Sequence, residues 1–341
     1  MNTKAELALP VLKKPYLLFV GDVDDLLTAK TACGLRDWIP DDIAGQWRLT
    51  PDSVDLGLTD LDPAAAYATG ARSIVIGVAP VGGQLPAHWA AALAQAASAG
   101  LDIVSGLHSR IADIPQVAEA ARAAGTEIYD VRKGPAKLPV GTGIKRPGKR
   151  LLTVGTDCAI GKKYTALAIA RELQARRIAA DFRATGQTGM MIAGGGIAID
   201  SVVADFIAGA AELLSPAAAP DHWDIIEGQG SLFHPGYAGV TLGLIHGSQP
   251  DALVLCHDPL RPTIDGFPDF PLPDLATAIR RNVEAASLTN PACRCAGIAL
   301  NTSKLGETEA RAALAKASAE TGLPAVDPLR WGVAAIVDGL L

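Results

Sequence analysis

The segment LLTVGTDCAIGKKYTALAIA, residues 151–170, decides the fold. LLTV is an unbroken apolar run that reads as a buried strand, GTDCAIG is a glycine-bounded turn, and KKYTALAIA carries apolar residues at helical spacing. Strand, glycine turn and helix in that order form a phosphate cradle. Backbone N–H groups and a helix N-terminus converge on one anion, and a lysine adds a point charge. The spacing departs from the usual loop, which has four residues between its glycines and Ser or Thr after the lysine. Here five residues separate Gly155 from Gly161, and Lys163 stands where the Mg²⁺-holding hydroxyl belongs. Lys162 is the expected phosphate lysine, with Thr156 and Asp157 in the turn. Thr165, about one helical turn on, is positioned to offer a hydroxyl instead. Two adjacent lysines at a helix N-terminus oppose the macrodipole, which makes sense chiefly if an anion sits between them. Whether Mg²⁺ binds is not decided by these residues. Cys158, inside the turn and beside the lysines, sits where thiol pKa values fall. That would suit a thioester intermediate, but a small residue fitting a tight turn is the simpler account.

Outward from the loop, the chain of 341 residues is long enough for two domains. Its 49% hydrophobic content and 35 glycines suit an α/β protein with tight strand-to-helix turns. Upstream, YLLFVG (16–21), ARSIVIGVAP (71–80), GLDIVSGLH (100–108) and TEIYDVR (126–132) read as strands. Helices are expected over 22–38, 88–100 and 115–125, giving a parallel sheet. The first strand is not followed by G-x-G-x-x-G, so a dinucleotide site is unsupported there. The run KGPAKLPVGTGIKRPGKR (133–150) is rich in Pro, Gly and Lys without apolar periodicity and reads as a linker. The expected division is an N-terminal domain over 1–135, a linker over 136–150 and a P-loop domain over 151–341. Later strands are expected within 178–185, 223–228, 251–258, 295–302 and 324–328, with helices over 196–215 and 274–288. The proline-rich stretch 259–275 reads as a loop covering a site.

A net charge of −6 without a basic block argues against a general nucleic-acid binder. Five scattered cysteines do not make a disulfide framework, and the Cys293/Cys295 pair lacks the partners of a zinc site. The N-terminus has no signal-peptide pattern and no apolar run is of membrane-spanning length, so a cytoplasmic protein without a membrane partner is expected.

Four further strand ends in the second half carry chemistry. WDIIEGQGSLFHP (223–235) places Glu227 at a carboxyl end beside the loop strand, where α/β sheets bind ligands, followed by Gln229, Ser231 and His234. Glu227 is suited to hold a metal or to take a proton, and His234 adds a second titratable group. Alternatively, Glu227 pairs with Lys162 or Lys163. ATGQTGMMIAGGG (184–196), preceded by Arg183, reads as a glycine-rich turn whose Gln187 and Thr188 recognise a polar small molecule. LVLCHDPLR (253–261) brings His257 and Arg261, the latter a candidate bidentate grip on a carboxylate. Asn301 ends GIALNT (297–302), where an Asn beside a phosphate loop can read the adenine edge of a cofactor. His108 and Arg132 end N-terminal strands, and either a cleft or a subunit contact would suit them.

At GTDCAIGKKYT, EGQGS and Asn301 the chain resembles dethiobiotin synthetase-type P-loop enzymes, which carry a similarly lengthened loop but a threonine where Lys163 stands. A closer resemblance runs along nearly the whole chain, through GVAPVGG, SGLH, DVR, GTDCAIGK, ATGQTG, EGQGSLFHP and GIALNT. These motifs resemble the two-domain P-loop family, formerly of unknown function, whose characterised branch is the D-glutamate N-acetyltransferases. That resemblance implies a Rossmann-like N-terminal domain, a P-loop NTPase-like α/β domain, an acetyl-CoA donor, a D-glutamate acceptor and a homo-oligomer. For that chemistry the expected roles are Lys162, Lys163 and the loop on the CoA phosphates, Glu227 or His234 as base, and Arg183 or Arg261 on the substrate carboxylates. The alternatives are an ATP-dependent kinase or ligase of the dethiobiotin type and a nucleotide-binding regulator without turnover.

Overall fold

Apolar strands alternating with glycine-closed helices build two parallel sheets. The computed structural model describes residues 9–26, 28–79, 85–134 and 137–341. The chain divides into two compact units, one of residues 9–134 with Met190–Ala198, the other of residues 137–189 with Ile199–Leu341. Residues 80–83 of GVAPVGG and the expected boundary at 135–136 lie outside the described residues.

In the N-terminal unit the elements run β1 (Tyr16–Gly21), α1 (Lys30–Trp38), β2 (Ile43–Arg48), α2 (Pro63–Ala68), β3 (Ser73–Ile76), α3 (Trp89–Ser98), β4 (Asp102–Ser105), α4 (Pro115–Ala124) and β5 (Ile128–Asp130). The sheet order is β2-β1-β3-β4-β5, all pairs parallel. Every residue of β1 is buried, and Phe19 packs its ring 5.2 Å from both Trp47 and Trp89. Gly21 is required where β1 ends. Its φ is +62°, and a Cβ there would meet the Trp89 ring at 2.3 Å.

The helix expected over 22–38 forms only from Lys30. Asp22 is drawn to His88 and Trp89 at 2.8 Å each, and Asp25 caps Thr28 N, so the residues before the helix are turns. Strand β2 and helix α2 were not anticipated. Within β2, buried Gln46 is satisfied by Asp55 and Asp60, a pairing that apolar periodicity does not reveal. Arg132 donates Nε to Gly106 O at 2.5 Å. Met191 and Ile192, far along the sequence, join this unit's core, and Leu9 N bonds Gly194 O.

The second unit contains β6 (Lys149–Gly155), α5 (Lys162–Ala175), β7 (Ala180–Arg183), the start of α6 (Gln187–Ala193, from Met190 on part of the N-terminal unit), α7 (Ile207–Leu214), β8 (Trp223–Ile226), α8 (Ala238–Ser248), β9 (Ala252–His257), β10 (Thr263–Ile264), β11 (Phe267–Pro271), α9 (Leu275–Ser287), β12 (Arg294–Leu300), α10 (Glu307–Thr321), β13 (Ala325–Val326) and α11 (Ala334–Asp338). Its main sheet has the order β13-β12-β9-β6-β8-β7, all parallel. Strand β6 is central, between β8 and β9, so its carboxyl end opens where consecutive strands diverge to either side. That crevice is where α/β sheets hold ligands.

Three expectations are corrected in this unit. Residues 196–215 are not one helix: turns at Ile199–Ser201 and Ala204–Phe206 precede α7. The stretch 259–275 is not a plain loop, since β10 and β11 pair as an antiparallel hairpin around Gly266 at φ +77°. Residues 187–193, read as a glycine-rich turn, are the helix α6.

The Pro/Gly/Lys-rich stretch before β6 is tied down. Glu212 accepts from Thr142 N and Gly143 N at 2.9 Å each, and Arg146 bonds Ser215 O and Gly247 O at 2.9 Å each. Burial, with Arg150 beside it, lowers the Arg146 pKa to about 10. Among the described residues, no helix is long and apolar enough to cross a membrane.

Candidate active site

The extra residue of the loop is accommodated by a buried carboxylate. Asp157, fully inaccessible, accepts from Cys158 N at 2.6 Å, from Arg261 Nη1 at 2.7 Å and from Asp265 N at 2.9 Å. Arg261 also donates to Cys158 O at 2.8 Å. The β10–β11 hairpin is thereby clipped to the phosphate loop, and the guanidinium expected to grip a substrate carboxylate is bound to Asp157 instead. Thr156 Oγ1 pairs with His257 Nδ1 at 3.0 Å, and burial lowers the His257 pKa. Gly161 adopts φ +108° as the turn passes into α5.

Lys162 is buried and curls back so that Nζ donates to Asp157 O at 2.6 Å. Burial lowers its pKa, opposed by Cys158, Cys256 and Asp157. Thr165 does not supply the missing hydroxyl. Its Oγ1 donates to Gly161 O at 3.0 Å, accepts from Cys256 Sγ at 3.4 Å and lies in the core. Lys163 is half-buried, with Nζ 5.1 Å from the Tyr164 ring centroid, and its charge acts on Glu227.

Glu227 is buried at the carboxyl end of β8. Its Oε2 accepts from Thr185 N at 3.0 Å and Gly186 N at 3.1 Å, while Thr185 Oγ1 donates to Glu227 O at 2.6 Å. Burial raises the Glu227 pKa, while Lys163 and these two backbone donors pull it down. The approach is close enough to require glycine, because a Cβ on Gly189 would stand 2.4 Å from Glu227 Oε2. Gly228 must also be glycine, since a Cβ there would stand 1.7 Å from Thr153 O.

Gln229 donates to Thr185 Oγ1 at 3.2 Å. Ser231 is buried, donating to Gly155 O at 2.9 Å and accepting from Phe233 N, so it fixes the strand end. His234 is 4% exposed, stacked on Tyr237 with centroids 4.4 Å apart and edge-on to Phe267 at 5.1 Å. Its Nδ1 accepts from Gly236 N at 3.0 Å. Burial lowers the His234 pKa; Lys162 lowers it further, against Asp157 and Asp265.

The structure thus gathers Thr156, Asp157, Lys162, Lys163, Glu227, Gln229, His234 and His257 around the loop mouth. Gln187 and Thr188 open α6 beside Glu227's backbone donors. Arg183 is not part of this group. Its guanidinium folds back along β7 to Asp224 at 2.7 Å and Asp181 at 3.1 Å, away from the carboxyl edge. Asn301 ends β12 with Oδ1 accepting from Ser303 N at 3.2 Å. Sequence reasoning missed Asp265 and the glycine face that carries Glu227. The signal for the second was the Gly186/Gly189 spacing, which puts both glycines on one side of a helical turn.

Two clusters have the donor types of a metal site: Asp157, Cys158 and His234, with one atom each within 4.8 Å, and Asp181, His222 and Asp224. In the first, the Asp157 carboxylate is already taken up by Arg261 and two backbone donors. In the second, Arg183 bonds both carboxylates and supplies the positive charge a metal would bring.

The sequence matches two family models, a P-loop domain described as a domain of unknown function (DUF1611_C) over residues 139–337 and a Rossmann-like domain (DUF1611_N) over residues 44–134. The chain is similar to a D-glutamate N-acetyltransferase from Tritonibacter scottomollicae, 49% identical over 330 residues, covering 97% of this chain and 99% of the relative. It is similar to a D-glutamate N-acetyltransferase from a Pseudoalteromonas species, 45% identical over 329 residues, covering 96% and 99%. The crystal structure of a DUF1611 family protein from Anabaena variabilis superposes with a TM-score of 0.86 at 36% identity, covering 96% of this chain and 99% of that one. With both domains matched in order and the likeness running end to end, the chain belongs to the DUF1611 family, a Rossmann-like domain followed by a P-loop domain.

Proposed function

We propose that the chain moves the acetyl group of acetyl-CoA to the amine of D-glutamate, giving N-acetyl-D-glutamate and CoA. The observation that carries this reading is the near-full-length likeness to two D-glutamate N-acetyltransferases. The site's chemistry supports it. The reaction is attack of a neutral amine on a thioester carbonyl, so it needs a base for the ammonium proton, an anion seat for the donor and fixed geometry. Glu227 supplies the base: its raised pKa brings a carboxylate closer to that of an ammonium, and its backbone bonds fix where it points. The amine's nitrogen forms a bond to the acetyl carbon, the C–S bond breaks with its electron pair going to sulfur, and the proton the nitrogen sheds on becoming an amide passes to the CoA thiolate.

Lys162, Lys163 and the loop N–H groups hold a CoA phosphate, a task that needs no Mg²⁺ ligand at position 163. A substrate carboxylate falls to the polar groups around α6, because Arg183 and Arg261 are each bound to aspartates. The same reading has the protein working in the cytoplasm, where acetyl-CoA is at hand, and as a homo-oligomer. The test is incubation with D-glutamate and either acetyl-CoA or Mg-ATP, following free thiol, nucleotide and product mass. Thiol release with an N-acetylated product is expected from acetyl-CoA alone. ADP formation without thiol release would transfer the protein to the dethiobiotin-type alternative.

A further inference from the structure

We infer that His234 is a fixed, neutral Nε2–H donor that completes the anion seat of the 156–162 loop, and that it is not the proton acceptor of the reaction. The argument begins at the turn after β8. His234 N bonds Ser231 O at 3.1 Å, and two residues on, Gly236 N donates to Nδ1 at 3.0 Å. A backbone N–H aimed at Nδ1 needs that lone pair, so the neutral ring carries its proton on Nε2. Taking up a second proton would put an N–H against an N–H and break the bond. A base must accept a proton, and this ring has no nitrogen left to do so.

The ring is held against rotation by Tyr237 on its face and Phe267 at its edge. A ring nitrogen lies within 4.8 Å of an Asp157 carboxylate oxygen and of Cys158 Sγ, which places the imidazole at the loop. Among the described residues Nε2 has no hydrogen-bond acceptor, although the side chain is 4% exposed. Nε2 is not among the side-chain atoms shut away from solvent without a partner, so this donor is open at the loop, where the anion of the proposed function brings oxygens.

The charged and titratable groups facing His234 are Asp157, Cys158, Lys162, Asp265 and the stacked Tyr237. Asp157 and Asp265 favour an imidazolium, and Lys162 and burial oppose it. The Asp157 carboxylate also takes Arg261 and two backbone donors, so its pull on the ring is shared with a cation. A neutral imidazole can serve as a hydrogen-bond donor under these conditions. The acceptor is an anionic oxygen, from a phosphate of CoA or from a carboxylate of glutamate. The step in which Glu227 takes the amine proton belongs to the proposed function; the state of the His234 ring does not depend on it.

Two measurements test the inference on the full chain. The first is long-range ¹H–¹⁵N correlation on protein labelled at its histidines, with His234 assigned by its loss in His234→Gln. The expected result is the Nε2–H form, unprotonated down to a pH below the ordinary histidine value. An Nδ1–H form, or protonation at or above that value, overturns the inference whether or not acetyl transfer occurs. The second is calorimetric binding of CoA and of D-glutamate, separately, to wild type, His234→Gln and His234→Phe. Phe keeps the stack on Tyr237 but has no donor; Gln keeps an N–H near the Nε2 position. A hydrogen bond to a charged acceptor corresponds to about 10- to 100-fold in affinity. His234→Phe is expected to lose that factor for one ligand, and His234→Gln to recover most of it. Loss for CoA identifies the phosphate, and loss for D-glutamate identifies the carboxylate. Unchanged affinity for both in His234→Phe overturns the inference.

Discussion

Replacing Asp157 by alanine is expected to destabilise the P-loop domain by about 3–5 kcal/mol, the cost of breaking a buried ion pair from one side. The structure sets the scale. The carboxylate is inaccessible and takes three donors, Cys158 N, Arg261 Nη1 and Asp265 N, at 2.6, 2.7 and 2.9 Å. A charge-assisted bond has a net value of about 1.5–3 kcal/mol, so three would overshoot if simply added. Arg261 retains Cys158 O at 2.8 Å after the loss, and its side chain is 17% exposed, so part of its solvation is recovered. A double-mutant cycle with Asp157→Asn and Arg261→Gln isolates the pair, and its coupling is expected at about 2–3 kcal/mol. With two units in the chain, global unfolding need not be two-state. Hydrogen exchange at amides of the 259–271 hairpin, Asp265 above all, is therefore the appropriate readout beside urea melts. Protection there should fall in both single variants. Coupling below about 0.5 kcal/mol, together with an Arg261→Gln variant of unchanged protection and a raised KM for D-glutamate, would return Arg261 to the role of substrate grip and refute the clamp.

Glu227→Gln is expected to cut kcat by about 10²- to 10⁴-fold while leaving the Thr185 and Gly186 bonds in place, since the amide oxygen still accepts. Its pH effect has a definite sign. A carboxyl whose folded pKa is raised binds its proton more tightly when folded, so stability falls as pH rises above the unfolded value, and that slope should vanish in Glu227→Gln. The acid limb of wild-type kcat/KM should lie above the ordinary carboxylate range for the same reason; a limb at the ordinary value removes Glu227 as base. Gly189→Ala puts a methyl 2.4 Å from Glu227 Oε2 and should lower kcat far more than acetyl-CoA affinity, which steady-state kinetics and calorimetry will separate. Gly209→Ala puts a methyl 1.8 Å from Pro139 O, so the stretch 137–148 should lift from α7 and become a site of limited proteolysis, at a cost of about 1–3 kcal/mol. Unchanged resistance to protease there would show that those residues are not packed as described.

Much of the fold could be read because its signals are local. Strand β1, the loop strand β6 and strands β8, β9 and β12 are buried apolar runs ended by glycine or a polar residue, and each forms close to where periodicity put it. Strand β2 escaped because its buried centre is Gln46, held by Asp55 and Asp60 from a later turn, and a polar core residue breaks the apolar pattern. The hairpin at 263–271 escaped because prolines argue against strands. A two-stranded ribbon tolerates Pro268 and Pro271 where no second neighbour needs their missing N–H. The site divides the same way. Lys162, Glu227 and His234 sit on elements whose order along the chain dictates that they meet at one sheet edge. Arg183 and Arg261 carried the right chemistry for a carboxylate, but residue type does not disclose that Asp224 and Asp157 already hold them. A cation's partner is a tertiary fact whenever that partner lies 41 or 104 residues away.

That distinction changes what the loop's two lysines mean. Paired positive charges at a helix start are unfavourable, and the molecule treats them differently. Lys162 is buried against Asp157 O with its pKa lowered, while Lys163 is half-buried and close enough to Glu227 to lower the carboxyl's pKa. An anion entering the loop therefore meets one ammonium whose burial it offsets and a second that it must share with Glu227. Drawing Lys163 toward the anion would weaken its pull on Glu227, whose pKa burial already holds up, and raise that pKa further. On the proposed function, seating the donor and raising the basicity of the carboxylate would then be one electrostatic event. This coupling follows from a lysine at the position where related loops carry a hydroxyl, because a hydroxyl has no charge to divide between ligand and base.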